Sequence, residues 1–98
     1  MLDKIQQDTV GLRLNMVTGA DLTDTTDMIL VLAKSAKVRK EIPLTASNIS
    51  NPATGEVFYI TQVGDLPEPG DWFGQIIDVT AGRFIPSEVW EFTVEKNI

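Results

Sequence analysis

Three aspartates stand three residues apart in the stretch DLTDTTD, at Asp21, Asp24 and Asp27, and an acidic loop of this kind is where calcium chemistry would be sought. The calcium loop of known spacing needs carboxylates at alternate positions, a central glycine and a terminal glutamate, and this stretch has none of that. It reads instead as a turn whose Asp and Thr side chains bond to nearby backbone. Asp65, Glu68 and Asp71 flank proline-rich turns and read the same way. Lys34, Lys37, Arg39 and Lys40 make the basic cluster of the chain. On the edge of a sheet such charges discourage edge-to-edge aggregation. The functional alternative is a patch that meets an acidic surface on a neighbouring subunit. Nucleic-acid binding would need more positive charge, interleaved with aromatics, than four residues supply.

Catalysis finds little to stand on. The 98 residues include no cysteine and no histidine. Thiolate nucleophiles, disulfides, the commonest zinc ligand and every Ser-His-Asp arrangement are therefore excluded. The seven glycines are scattered among turns, so no glycine-rich phosphate loop exists. Carboxylates are plentiful, but nothing in their spacing pairs them for acid–base work. The expectation is a protein that is not an enzyme and needs no cofactor or metal. Asn48 opens a formal glycosylation sequon, Asn-Ile-Ser, which matters only in a secretory pathway.

The composition suits one small globular domain over residues 1–98, with 43% hydrophobic and 22% charged residues. A net charge of −6 repels phosphate backbones over most of the surface, which speaks against nucleic acid as a partner. No apolar run approaches the roughly 20 residues a membrane helix needs. The N-terminal MLDKIQQDTV lacks the basic stretch and apolar core of a signal peptide, so synthesis in a reducing cytoplasm is expected.

The elements that must position these residues are strands. Val10, Leu12, Leu14 and Met16 alternate with Gly11, Arg13 and Asn15, the period of a half-buried strand. Met28 to Lys34 is a continuous apolar run, expected as a strand buried on both sides. In KVRKEIPL, Pro43 points to an edge or irregular strand. EVFYITQV places Val57, Tyr59, Thr61 and Val63 on one face and Phe58 and Ile60 on the other. GDLPEPG is a loop, because two prolines and two glycines fall within seven residues. The last segment alternates Trp90, Phe92 and Val94 against Glu91, Thr93 and Glu95, which assigns all three apolar residues to the core. In DWFGQIIDVT the phase does not bury Trp72 and Phe73 together. A bulge near Gly74 would reconcile the pattern, leaving one of the two rings exposed as a candidate partner contact. Turn signals recur about every ten residues, which predicts an immunoglobulin-like antiparallel β-sandwich of about seven strands, with a small β-barrel as the alternative.

Strand and turn signatures across Val10 to Val94 carry a family resemblance. VGLRLNM leads to DLTDTTDMILVLAK, then GEVFYI, and the end holds PGDWFGQIIDVTAGRFIPSEVWEFTV. This resembles the N-terminal domain family of tailed-phage baseplate upper proteins and related immunoglobulin-like domains of virion proteins. The resemblance implies a non-enzymatic assembly or attachment module made in the host cytoplasm and carried in the virion. Its partners would be other virion proteins and copies of itself, with contact through Trp72 or Phe73 and through Lys34, Lys37, Arg39 and Lys40. Longer members continue into a helical or fibre-binding segment, whereas this sequence stops four residues after Val94. That departure favours a tail or baseplate accessory, or a head decoration protein. The rival readings are an adhesin for host-surface carbohydrate or protein, and a small acidic inhibitor of a host enzyme.

Overall fold

The apolar alternation forms strands over most of the stretches where the sequence places it, and turns and short pairings complete the ladders. The strand expected from Val10 begins only at Arg13 and leaves Val10 54% exposed. The computed structural model describes residues 4–34 and 37–96. Nine strands lie among them: β1 Lys4–Gln6, β2 Arg13–Val17, β3 Asp27–Ala33, β4 Arg39–Thr45, β5 Ile49–Asn51, β6 Glu56–Ile60, β7 Gly70–Asp78, β8 Ile85–Pro86 and β9 Trp90–Glu95. The large sheet runs β1-β9-β7-β3-β4, with β8 also on β7, and the small sheet runs β2-β6-β5. Neither path closes on itself among the described residues, so the fold is an all-β sandwich and not a closed barrel. The sheet is mixed, not purely antiparallel: β1 runs parallel to β9, with Ile5 level with Val94. Three of the nine, β1, β5 and β8, are short pairings of only two or three residues, and six are longer.

One core fills the space between the sheets. Leu14 and Met16 of β2 and Val57 and Tyr59 of β6 face Met28, Leu30 and Leu32 of β3, Trp72 and Ile76 of β7, and Phe92 and Val94 of β9. β3 lies between β4 and β7 in the interior of the sheet, and its run is apolar on both faces: Val31, on the outer side, is buried as well, and Ile29 and Ala33 are partly so. The partner β4 is an edge strand, as Pro43 requires. Lys34 N–H donates to the Val38 carbonyl at 2.8 Å. In that phase Leu32–Lys40, Leu30–Ile42 and Met28–Leu44 are the bonded pairs, and the backbone of Arg39, Glu41 and Pro43 points at the free edge. Proline at position 43 therefore removes no ladder bond.

Three expectations are corrected. β6 ends at Ile60, and Val63 is 83% exposed in the loop beyond it, because Thr61 turns its hydroxyl to the Leu12 N–H and closes the ladder there. No bulge lies at Gly74, since β7 pairs without a break with β3 from Phe73 to Asp78 and with β9 from Gly70 to Gly74. The extra residue sits on the opposite side. Three steps along β7, from Gly74 to Ile77, face four steps from Trp90 back to Pro86. Ser87 holds that irregular stretch, its N–H donating to the Ile76 carbonyl at 2.8 Å and its hydroxyl accepting from Ile76 N–H at 3.0 Å. The same bulge lifts the start of β9, so Trp90 is only half-buried and packs on the margin of the core while Phe92 and Val94 are enclosed.

Candidate functional site

Alternation along β4 sorts the basic cluster onto two faces. Lys40 shares its phase with Ile42 and Leu44 and turns toward the small sheet, whereas Arg39 shares its phase with Glu41 and Pro43 and turns outward. The Lys40 ammonium meets Asp65 at 2.5 Å. The Asp65 side chain is 0% exposed and also accepts from the Tyr59 hydroxyl at 2.5 Å and the Gln62 N–H at 2.7 Å. Burial pushes the Asp65 carboxyl up. The hydrogen bonds from Lys40, Tyr59 and Gln62, with the charge of Lys40, outweigh burial and hold it below the usual carboxylate range. Tyr59 is pushed well above its ordinary value, by burial first and then by its bond to Asp65 and that carboxylate's charge. The tyrosine is therefore locked as a donor. This network ties β4 of one sheet to β6 of the other through the crossover loop between β6 and β7.

The same loop takes up the other cations. Lys34 pairs with Glu68 at 3.4 Å, and the buried Trp72 donates its indole N–H to the Glu68 carbonyl at 2.9 Å. Arg39 pairs with Glu41 at 3.5 Å on the outer face. Lys37 is exposed at the rim of a groove whose walls include Arg39, Lys40, Asp65, Glu68 and the edge of Trp72. Sequence reading expected these charges to protect a sheet edge, with a basic patch aimed at an acidic partner as the functional alternative. In the fold Lys34, Arg39 and Lys40 each have a carboxylate of the same chain, which offsets most of the patch's charge.

Of the two rings left open by the sequence, Trp72 is the interior one. It is 1% exposed and stacks with Phe92 at 6.5 Å between ring centroids and 23° between planes. It offers no ring face to a partner, so it leaves the set of contact residues except as a groove wall. Phe73 points the other way and is 39% exposed. Register places it level with Ala33 on β3 and Glu91 on β9, and Ala33 level with Arg39 on β4. Phe73 and Arg39 thus meet on one face, lining a shallow depression with Val31, Ala33, Gln75 and Val89. Lys40 and Trp72 belong to the other side of the same sheet.

At the far end of the sandwich, Asp78 is a second buried carboxylate. It accepts from Thr80 N–H at 3.0 Å and Thr25 Oγ1 at 3.2 Å, and Arg83 Nη2 stands 3.3 Å away. Burial raises its pKa, and these bonds with the Arg83 charge outweigh that and lower it. Asp21, in the acidic turn, accepts from the Thr23 hydroxyl and N–H, which lowers its pKa as well. The acidic turn is therefore a side-chain-to-backbone turn. No group of three or more candidate metal ligands lies together among the described residues. Asn48 donates to the Phe58 carbonyl at 3.1 Å and accepts from Thr45 N–H at 3.2 Å, so its amide works inside the fold.

Sequence reasoning missed Asp65. It placed this residue with the solvent-facing turn acids, yet it is the most enclosed carboxylate. The signal available was the parity of Lys40 with Ile42 and Leu44, which sends a cation to the core side and calls for an acid there. Every buried side-chain nitrogen and oxygen among the described residues has a hydrogen-bond partner. The aromatic rings open to solvent among the described residues include Phe73, on the outer face of the large sheet, and Phe84, 72% exposed, after the turn that follows β7. Compared with known proteins, the chain matches no family model and no curated protein.

Proposed function

We propose that this domain is a non-enzymatic structural or assembly module of a tailed-phage particle, a tail or baseplate accessory or a head decoration, that works by protein–protein contact. The observation that carries the reading is the outer face of the large sheet. Phe73, 39% exposed, and Val89, 55% exposed, stand on it beside the part-exposed Ile29 and Ala33, while Val31 and Ile77 in the same phase are buried. Apolar surface concentrated in this way marks association sites. The two buried carboxylates are held ionised by structural partners, which suits a scaffold and leaves neither as a free acid or base. The sequence resemblance to immunoglobulin-like virion domains supplies the class of assembly. Weak contact by each copy suffices on a particle, because many copies act together.

The test is location. An antiserum against the domain is expected to detect it in purified particles, at a stoichiometry that follows the tail or capsid symmetry. Its presence only in the soluble fraction of infected cells, bound to a host protein, would overturn the virion reading in favour of the inhibitor. Phe73→Ser is expected to keep the fold and to reduce incorporation into particles.

A further inference from the structure

The row of residues across the outer face of the large sheet is complementary to itself. Register sets Glu91, Phe73, Ala33 and Arg39 side by side on β9, β7, β3 and β4. Alternation turns all four away from the small sheet, because Phe92, Trp72, Leu32 and Lys40 next to them take the inner phase. Across the sheet the row reads acid, large ring, small side chain, base.

We propose that this face is a two-fold contact with a second copy of the chain. The axis would run along the strands, in the plane of contact, between β7 and β3. Such a rotation sets the first position of the row against the fourth and the second against the third. Each Glu91 then faces the other copy's Arg39, and each Phe73 ring lies over the other copy's Ala33. Ala33 lines the depression that Phe73 and Val89 wall, so each copy offers both a ring and a recess for one. One step down, Gln75 is engaged within its own copy, its amide donating to the Ser87 carbonyl at 2.9 Å, and Val31 is buried, so the contact centres on the first row. Beyond that, Ile77 is buried, and the rotation sets Pro86 against Pro43 at the margins of the row that also holds the part-exposed Ile29. The opposite choice of axis, across the strands, would bring Arg39 against Arg39 and Glu91 against Glu91.

The face is small. Four strands at about 4.8 Å and five residues at about 3.4 Å span roughly 19 by 17 Å. That is below the roughly 800 Å² per partner of a standard interface, so the dimer is weak and reversible by itself. The inference rests on the reading of this face as a contact surface, and it names the partner.

Sedimentation velocity from about 10 μM to about 1 mM tests it, over the range where weak self-association becomes visible. The wild-type chain is expected to shift from monomer to dimer across this range. Phe73→Ser and Arg39→Glu are each expected to raise the dimer Kd at least about tenfold with unchanged circular dichroism. The double variant Arg39→Glu/Glu91→Arg restores the opposed charges in reversed order and is expected to recover the wild-type Kd to within about threefold. A chain that stays monomeric at about 1 mM overturns the proposal, as does a dimer indifferent to Phe73→Ser and Arg39→Glu. A charge swap that fails to rescue overturns the stated axis. A monomer found in particles removes the dimer and leaves the virion role, whereas a dimer absent from particles does the reverse.

Discussion

Two tryptophans of one sheet have different weights, and the difference is set by phase and by one inserted residue. Trp72 lies mid-strand in β7, with its indole N–H bonded to Glu68 and its ring on Phe92, and is almost fully enclosed. Trp90 opens β9 next to the irregular stretch at Ser87 and is half-buried. Trp72→Ala is expected to cost about 3–5 kcal/mol, as a large core truncation that also orphans the Glu68 carbonyl. Trp90→Ala is expected to cost clearly less. Urea unfolding of both variants checks the order, and equal losses would place Trp90 in the core after all. The clean Trp90/Phe92/Val94 alternation fixed the direction of each side chain. It carried no information on how far the sheet extends over each one.

The connection between β7 and β8 shows how an element can be read without its strain. The sequence places a tight turn at Ala81-Gly82, and the chain does turn there, with Arg83 N–H returning to the Thr80 carbonyl at 3.0 Å. Both central residues take positive φ, 53° at Ala81 and 83° at Gly82. That is the mirror-image hairpin turn which favours Asn-Gly, since its twist matches that of the strands. Glycine is unstrained there and alanine is not. Ala81→Asn is therefore expected to stabilise the domain by about 0.5–1 kcal/mol, read as a raised denaturation midpoint at unchanged m-value. A lower midpoint would show that the turn conformation is not what limits this hairpin.

Over the whole molecule, two buried carboxylates link the sheets and loops, and both make stability fall in acid. Asp65 and Asp78 have folded-state pKa values below their ordinary ones. The stability they contribute is present above the unfolded-state value of about 3.9 and is lost as pH falls through the folded values. The denaturation midpoint is therefore expected to drop below about pH 4. Asp65→Asn is expected to lower the midpoint at pH 7, by about 1.5–3 kcal/mol for the charged hydrogen bonds it weakens, and to flatten the acid limb. Parallel limbs for wild type and variant would show that Asp65 does not titrate with unfolding.

Period and punctuation are local properties, so the sequence alone determined the all-β class, the strands around Leu14, Leu30, Val57, Ile76 and Phe92, the edge position of Pro43 and the tight turn at Ala81-Gly82. The absence of histidine and cysteine likewise limited the available chemistry before any fold was known. Only the tertiary structure decided which of Trp72 and Phe73 faces outward, because that depends on which side of β7 the small sheet covers. It also decided that Lys40 and Asp65 meet, and that Arg39, Ala33, Phe73 and Glu91 form one row. Those residues come together through the register of strands distant in sequence, and no local pattern encodes which strands become neighbours.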